Sequence, residues 1–439
     1  MLGKTGIKFS GALALLAMLG LSSADAGLKQ LEIKGGTSLG AYWVDVDNVG
    51  SDSLLRLDTD LDFKMKFSQD VSARLDLELD GGRAGNQAIA SYSAGSAPVS
   101  DVGDRYNFGI DQAYFKMNDF LFRNFSLTLG KQNMFYSLRD NKSFSWAWAD
   151  PIAMVGNYST RDLDVKAYFA KLGDSSDLNP SNGTNDNDQE LYGVYGEYWL
   201  NDDSLIIGYL NFRMNDSLST ATATNQNIVH FGIGLDYFIG ESLELYGELA
   251  GQSIDSASTD LATGAITNQD GSPLQITLGF EYAFSDFDMK PTVNLEYYQQ
   301  DGASGTDAGW QSVAGGAAGA ENQSIYVEGT GADAAIRDTN FGVGVVNHGG
   351  TGTGYNVIRL NGWLSPSKST KVGLGIHIFG NEETVTNDDL GTEIDLTASW
   401  KYSQDVAFRA GAFTYEGSPT GAAGDTEVMG FTVSSKLSF

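Results

Sequence analysis

The stretch from Leu54 to Gly82 alternates so strictly that it limits what the chain can fold into. Leu55, Leu57, Thr59, Leu61, Phe63, Met65 and Phe67 form one set; Arg56, Asp58, Asp60, Asp62, Lys64 and Lys66 form the other. After the short turn Ser68-Gln69-Asp70 the pattern restarts, with Val71, Ala73, Leu75, Leu77 and Leu79 set against Ser72, Arg74, Asp76, Glu78 and Asp80. A period of two places each set on its own face of a strand, whereas a helix would scatter both around its axis. One face is charged at nearly every position and the other is unbroken and apolar. A strand with lipid on one side and water on the other needs that contrast, because roughly 9–11 tilted residues cross a bilayer.

The N-terminus agrees with export. Lys4 and Lys8 precede a short apolar run, Gly11 to Leu21, and Ala24-Asp25-Ala26 has the small-x-small form of a cleavage site. These features predict a secretory signal over residues 1–26 and a mature chain from Gly27 onward. The run is shorter than the roughly 20 apolar residues of a spanning helix, and no later stretch comes closer. Further membrane contact is therefore expected from strands. The formal net charge of −29 argues against nucleic acid as a partner. With no cysteine, disulfides and thiolate chemistry are excluded. Abundant Gly (54) with scarce Pro (7) suits many strands joined by turns.

Alternating segments recur at 30–46, 52–67, 71–81, 106–118, 124–136, 154–160, 162–172, 190–200, 204–215, 226–238, 241–254, 273–285, 289–300, 354–364, 370–380, 391–403, 405–417 and 426–439. Most links at one end are short, such as Ser68-Gln69-Asp70, Asn201-Asp202-Asp203, Gly240 and Gln404. Those at the other end are read as long: 82–105, 137–153, 173–189, 216–225, 255–272, 301–353, 381–390 and 418–425. The expected fold is all-β, a transmembrane antiparallel up-and-down β-barrel of about 18 strands filling residues 27–439. The segment 154–160 carries the weakest signal, and without it and a neighbour the count is 16, again an even number. Closure leaves no unpaired edge, and so many strands leave a lumen that water or an inserted loop must fill.

The chain ends EVMGFTVSSKLSF, with Phe431, Val433, Leu437 and Phe439 on one face and Thr432, Ser434, Lys436 and Ser438 on the other. This final amphipathic strand ending in Phe resembles the terminal strand of Gram-negative outer-membrane porins. The resemblance implies recognition of Phe439 by barrel-assembly machinery, an outer-membrane location among lipid and lipopolysaccharide, and possible homo-oligomers. The stretch Phe125 to Asn141, FSLTLGKQNMFYSLRDN, is similar to a strand and loop of the alginate-export-type eighteen-stranded porins, with Lys131 where that pattern has Arg.

Parity assigns side chains to the lumen strand by strand. The pore-lining candidates are Arg56, Asp58, Asp60, Asp62, Lys64, Lys66, Arg74, Asp76, Glu78, Lys116, Lys166, Arg213, Glu248, Glu281, Glu296, Arg359, Glu393, Asp395 and Arg409. Basic and acidic groups nearly balance along this wall, so most of the net negative charge falls to loops, turns and rims. A wall of mixed charge passes small polar solutes in water, whereas a dedicated polyanion channel needs a basic excess. Cross-strand pairing that merely keeps the lumen wet is the plainer role for any one of them. Asp111 falls on the lipid parity of its strand, which predicts a bulge or a shifted register there.

The loop 137–153 places Arg139, Asp140 and Lys142 beside Trp146 and Trp148, in the manner of a constriction or a sugar-stacking platform; an aromatic girdle is the plainer alternative. Asp58-x-Asp60-x-Asp62 superficially resembles a calcium loop, but Phe63 and Gln69 replace its required Gly and Glu. Asp186-Asn187-Asp188 is a fairer candidate for a divalent ion. His230, His348 and His377 lack metal-ligand spacing, and no nucleophile motif accompanies them. No metal, cofactor or enzymatic chemistry is expected. The reading is a passive channel for small hydrophilic solutes. The alternatives are a receptor or adhesin plugged by loop 301–353, and a polysaccharide-specific channel of the alginate-export kind.

Overall fold

The structure is a computed structural model that describes residues 27–47, 50–80, 84–85, 107–134, 151–174, 186–218, 222–260, 266–302, 308, 354–381, 389–417 and 426–439. The expected signal segment lies outside them. No helix among the described residues is long and apolar enough to cross a membrane.

The strands are β1 (Gln30–Val46), β2 (Gly50–Lys66), β3 (Val71–Asp80), β4 (Ala84–Gly85), β5 (Asn107–Met117), β6 (Phe125–Lys131), β7 (Ile152–Ser159), β8 (Leu163–Asp174), β9 (Asp186–Trp199) and β10 (Leu205–Leu218). They continue with β11 (Thr222–Ile239), β12 (Leu243–Asp260), β13 (Ile266–Asn268), β14 (Leu274–Ala283), β15 (Thr292–Gln300), β16 (Tyr355–Ser367), β17 (Thr370–Asn381), β18 (Asp389–Lys401), β19 (Val406–Gly417) and β20 (Thr426–Ser438). β4 and β13 are short pieces beside β2 and β12. Each of the other 18 pairs antiparallel with its neighbours, and β20 returns to pair with β1, so the sheet is a closed ring. Closure satisfies the hydrogen bonds that an edge would leave open, the condition lipid imposes. Segment 154–160 is a full strand, β7.

Exposure shows which face is outside. Leu39, Ile233, Leu249, Leu278 and Leu396 are about half exposed, and so are Val194, Ile358 and Val433 on other strands. In a ring with no second layer, an exposed apolar face is the convex one. The side chains of opposite parity, polar and mostly buried, therefore face the lumen.

Side-chain oxygens fix the tight turns. Ser68 Oγ accepts hydrogen bonds from the amides of Asp70 (3.1 Å) and Val71 (2.9 Å). Ser403 repeats this with Asp405 (3.2 Å) and Val406 (3.0 Å). The two turns share the sequence Ser-Gln-Asp-Val, which holds one local geometry at both places. Gly240 opens the β11–β12 link with a φ of 65°, where an L side chain is strained.

The expected irregularity at Asp111 is present. Asp76 pairs with Gln112 and Leu77 with Ile110, so Asp111 is the extra residue of a bulge. Several of the connections differ from their sequence reading, 255–272 among them, since β12 runs on to Asp260 and β13 follows. The link read as 216–225 is only 219–221, because β10 and β11 run on to Leu218 and from Thr222. Likewise 173–189 shortens, because β8 extends to Asp174 and β9 starts at Asp186. Polar, turn-prone residues at these strand ends suit a loop equally well, and the hairpin partner decides between the two.

Candidate functional site: the lumen face

On β1–β3 the lumen-facing charges form cross-strand rows. Glu32, Lys64 and Arg74 make one row, Lys34, Asp62 and Asp76 the next, and Gly36, Asp60 and Glu78 the third. Arg74 joins two of them. Its Nε donates to Asp62 Oδ1 at 2.8 Å, its Nη2 to Asp76 Oδ2 at 3.0 Å and its Nη1 to Gln112 Oε1 at 3.1 Å. Lys64 Nζ lies 3.2 Å from Asp62 Oδ2. The guanidinium fork thus offsets two carboxylates that would otherwise repel each other across the strands.

Across β15–β18 a second row is wholly buried: Glu296, Arg359, His377 and Glu393 stand opposite one another in turn. Arg359 Nη1 donates to Glu296 Oε1, and the guanidinium sits 5.6 Å from the Tyr298 ring centroid. Tyr246 donates its hydroxyl to Glu296 Oε2 at 2.9 Å and accepts from Asn294 Nδ2 at 2.8 Å. His377 Nε2 lies 3.3 Å from Asp395 Oδ2. Buried charges persist only when paired and hydrogen-bonded in this way.

One device recurs between these sectors. Tyr168 on β8 lies over Gly193 on β9 and hydrogen-bonds Asn211 on β10. Tyr209 lies over Gly232 and donates to Glu248 Oε1 at 2.6 Å, two strands away. Tyr246 lies over Gly279 to reach Glu296. A Cβ at any of the three glycines would fall within 2.5 Å of the tyrosine, so glycine is required by the close approach. Each tyrosine ring spans the gap a missing side chain leaves and ties three strands together.

The remaining candidates are spread around the ring. Lys166 Nζ is 3.3 Å from Asp164 Oδ1, and Arg213 Nη2 donates to Gln189 Oε1 at 3.1 Å. Glu281 is half-buried between Glu244 and Asn294, and Lys116 half-buried between Ser72 and Thr128. Lys66 and Arg409 are exposed near the short-turn end. Arg56 and Asp58 occupy β2 opposite Gly40 and Ser38, and their side chains lie outside the description. Arg139, Asp140, Lys142, Trp146 and Trp148 lie outside the described residues. Asp186-Asn187-Asp188, read as a loop, begins β9. Among the described residues no group of three or more His, Cys, Asp or Glu is placed to hold a metal ion.

Part of the inner wall is apolar, which parity alone missed. Ala153, Ala170 and Leu191 are buried on the inner face of β7–β9, with Ile152, Met154 and Val194 outside. Met134, just after β6, is buried in the same cluster, and Gln132 Nε2 donates to the Ala153 carbonyl at 3.0 Å. Residues 132–134 thus continue the inner face of β6, with the Gln132 amide still donating to the Pro151 carbonyl at 3.1 Å. The connection 301–354 meets the inner wall at Ala308, whose amide donates to the Asp270 carbonyl at 2.8 Å and which is buried with the inward-facing Ile228 and Ile254.

No family model matches this sequence, and no curated protein does. Solved structures match along nearly the whole chain. OccK9 (OpdG) of Pseudomonas aeruginosa is similar with a TM-score of 0.55 at 12% identity, over 94% of this chain and 99% of that one. The outer membrane protein opdK of the same organism has a TM-score of 0.51 at 14% identity, over 93% and 99%. OccAB4 of Acinetobacter baumannii has 0.52 at 11% identity, over 94% and 100%. The chain has the fold of an outer-membrane porin barrel. At such identity the likeness extends to the fold alone, and it carries nothing specific to the alginate-export type.

Proposed function

We propose that this barrel is an outer-membrane porin, a passive channel for small hydrophilic solutes. One observation carries the reading: a closed ring turns exposed apolar side chains outward and paired charges inward, which suits lipid outside and water within. Solutes are selected by size and by the charges they pass, with the connection that meets the wall at Ala308 narrowing the bore. The segment 1–26 serves as the export signal, and the terminal strand with Phe439 as the mark for barrel assembly into a membrane of lipid and lipopolysaccharide. Phe439 lies beside the first strand, its amide donating to the Gly35 carbonyl at 3.0 Å. The purified barrel is expected to give stable single-channel currents in planar bilayers. A barrel that inserts, resists proteolysis and never conducts would rule the channel out.

A second reading is favoured by Ala308. A connection that turns onto the inner wall suits a receptor plugged by loop 301–353. In that case deletion of 309–350 should convert a silent barrel into a conducting one. A porin conducts before the deletion.

A further inference from the structure

The apolar outer face differs in height around the ring. On β11 the outward column Phe231, Ile233, Leu235, Tyr237 and Ile239 is exposed throughout. At about 3.3 Å per residue it runs roughly 26 Å along the strand. On β6 the outward column is Phe125, Leu127 and Leu129, about 13 Å of strand. Lys131 closes that column on the long-loop side, its ammonium donating to the Ile110 carbonyl. The column beside it on β5, Met117, Phe115 and Ala113, ends in the same way at the Asp111 bulge. One ring crosses one bilayer, so a sector with half the apolar height must thin the lipid or find apolar surface elsewhere.

The turn between β5 and β6 offers that surface. Phe120, Leu121 and Phe122 are all exposed, Leu121 to 71%. The backbone holds them in place. The Phe120 amide donates to the Phe125 carbonyl at 3.0 Å, and the Asn124 amide to Asp119 Oδ1 at 2.6 Å. Phe122 lies against the outer face, its ring centroid 5.0 Å from that of Phe125 and 6.1 Å from that of Tyr158. Those two are outward-facing cross-strand partners, so the apolar column continues past the end of the strand. Arg123 follows and is exposed; such a side chain lays its stem along apolar surface and keeps its charged head at the lipid headgroups. The tips Ser68-Gln69-Asp70, Asn201-Asp202-Asp203 and Ser403-Gln404-Asp405 are polar, and the β14–β15 turn sets Asp286 and Asp288 on either side of Phe287.

We propose that the 118–124 turn is a lipid-binding foot. Phe120, Leu121 and Phe122 insert into the leaflet at the short-turn end, with Arg123 at its phosphates, and complete the apolar band where the outer face is shortest. The occupant is phospholipid rather than a protein, because the patch is continuous with the outward apolar face. The inference rests on the membrane reading above.

Site-by-site quenching in phosphatidylcholine vesicles tests it. The chain has no cysteine, so a bimane label reports one position at a time. Leu121→Cys and Gln404→Cys compare the two kinds of tip, with Leu278→Cys on the outward apolar face as the lipid reference. Phospholipid brominated on its acyl chains should quench the Leu121 label several-fold more than the Gln404 label. Iodide in the buffer should do the reverse. A Leu278 label that brominated lipid does not reach defeats the membrane reading. With Leu278 quenched, a Leu121 label as open to iodide and as indifferent to brominated lipid as the Gln404 label overturns the foot, leaves the membrane reading standing, and turns the patch into a candidate surface for a protein partner.

Discussion

Replacing Arg359 by Leu should lower the stability of the barrel by about 3–5 kcal/mol, the usual cost of leaving a buried charge without its partner. Glu296 would lose the guanidinium that sits on its Oε1, while the Tyr246 hydroxyl stays on Oε2, 2.9 Å away. Both side chains of the pair are fully buried, so water cannot replace the lost contact. The charge is also one link in the row that runs through His377 to Glu393. Urea unfolding of the refolded barrel in lipid vesicles, followed by tryptophan fluorescence, measures the loss. The double variant Arg359→Leu, Glu296→Leu should recover most of it, because no charge is then stranded. A double variant as unstable as the single one would mean that the pair does not account for the loss.

The second large effect belongs to the outer face. Leu249 is 52% exposed and pairs with Ile233 and Ile276 on neighbouring strands, in the middle of the apolar band. Leu249→Arg should cost about 2–4 kcal/mol in vesicles, since the guanidinium must enter hydrocarbon or distort it. The same group at Asp60, on the inner face of β2, should change stability by no more than about 0.5 kcal/mol. Each variant meets one environment, so the contrast separates lipid exposure from simple mutational damage. Equal losses at the two positions would mean that the faces are assigned wrongly.

Most of the architecture was legible because lipid and water impose opposite demands on adjacent residues. The stretch 54–80 shows this plainly, and the same alternation located all 18 barrel strands, β7 included. Even the bulge at Asp111 was readable, as a charge on the wrong parity. Strand ends were less legible. Residues 186–189, Asp216 and Ser217 are polar whether they continue a hairpin or leave it, and only the register with the partner strand decides. The inner wall of β7–β9 was hidden for another reason. Ala153 and Leu191 alternate with Ile152 and Tyr192, so both faces are apolar and the contrast that marks a lumen vanishes. The Tyr168–Gly193–Asn211 span and its two counterparts depend on pairing between residues far apart in sequence, and no local pattern announces them. Which of the charged wall positions meet open water was likewise not readable from parity, because burial depends on what lies across the lumen.

The most direct test compares two single-cysteine variants in vesicles, Leu278→Cys and Glu78→Cys, each carrying a nitroxide label, since the parent has no cysteine to interfere. Power-saturation spectroscopy then reads collisions with oxygen, which is enriched in lipid, and with a water-soluble nickel chelate. The label at Leu278, on the exposed apolar face, should respond to oxygen and ignore nickel, and the label at Glu78 should respond to nickel. The reverse pattern, with Leu278 in water and Glu78 in lipid, would contradict the barrel as described.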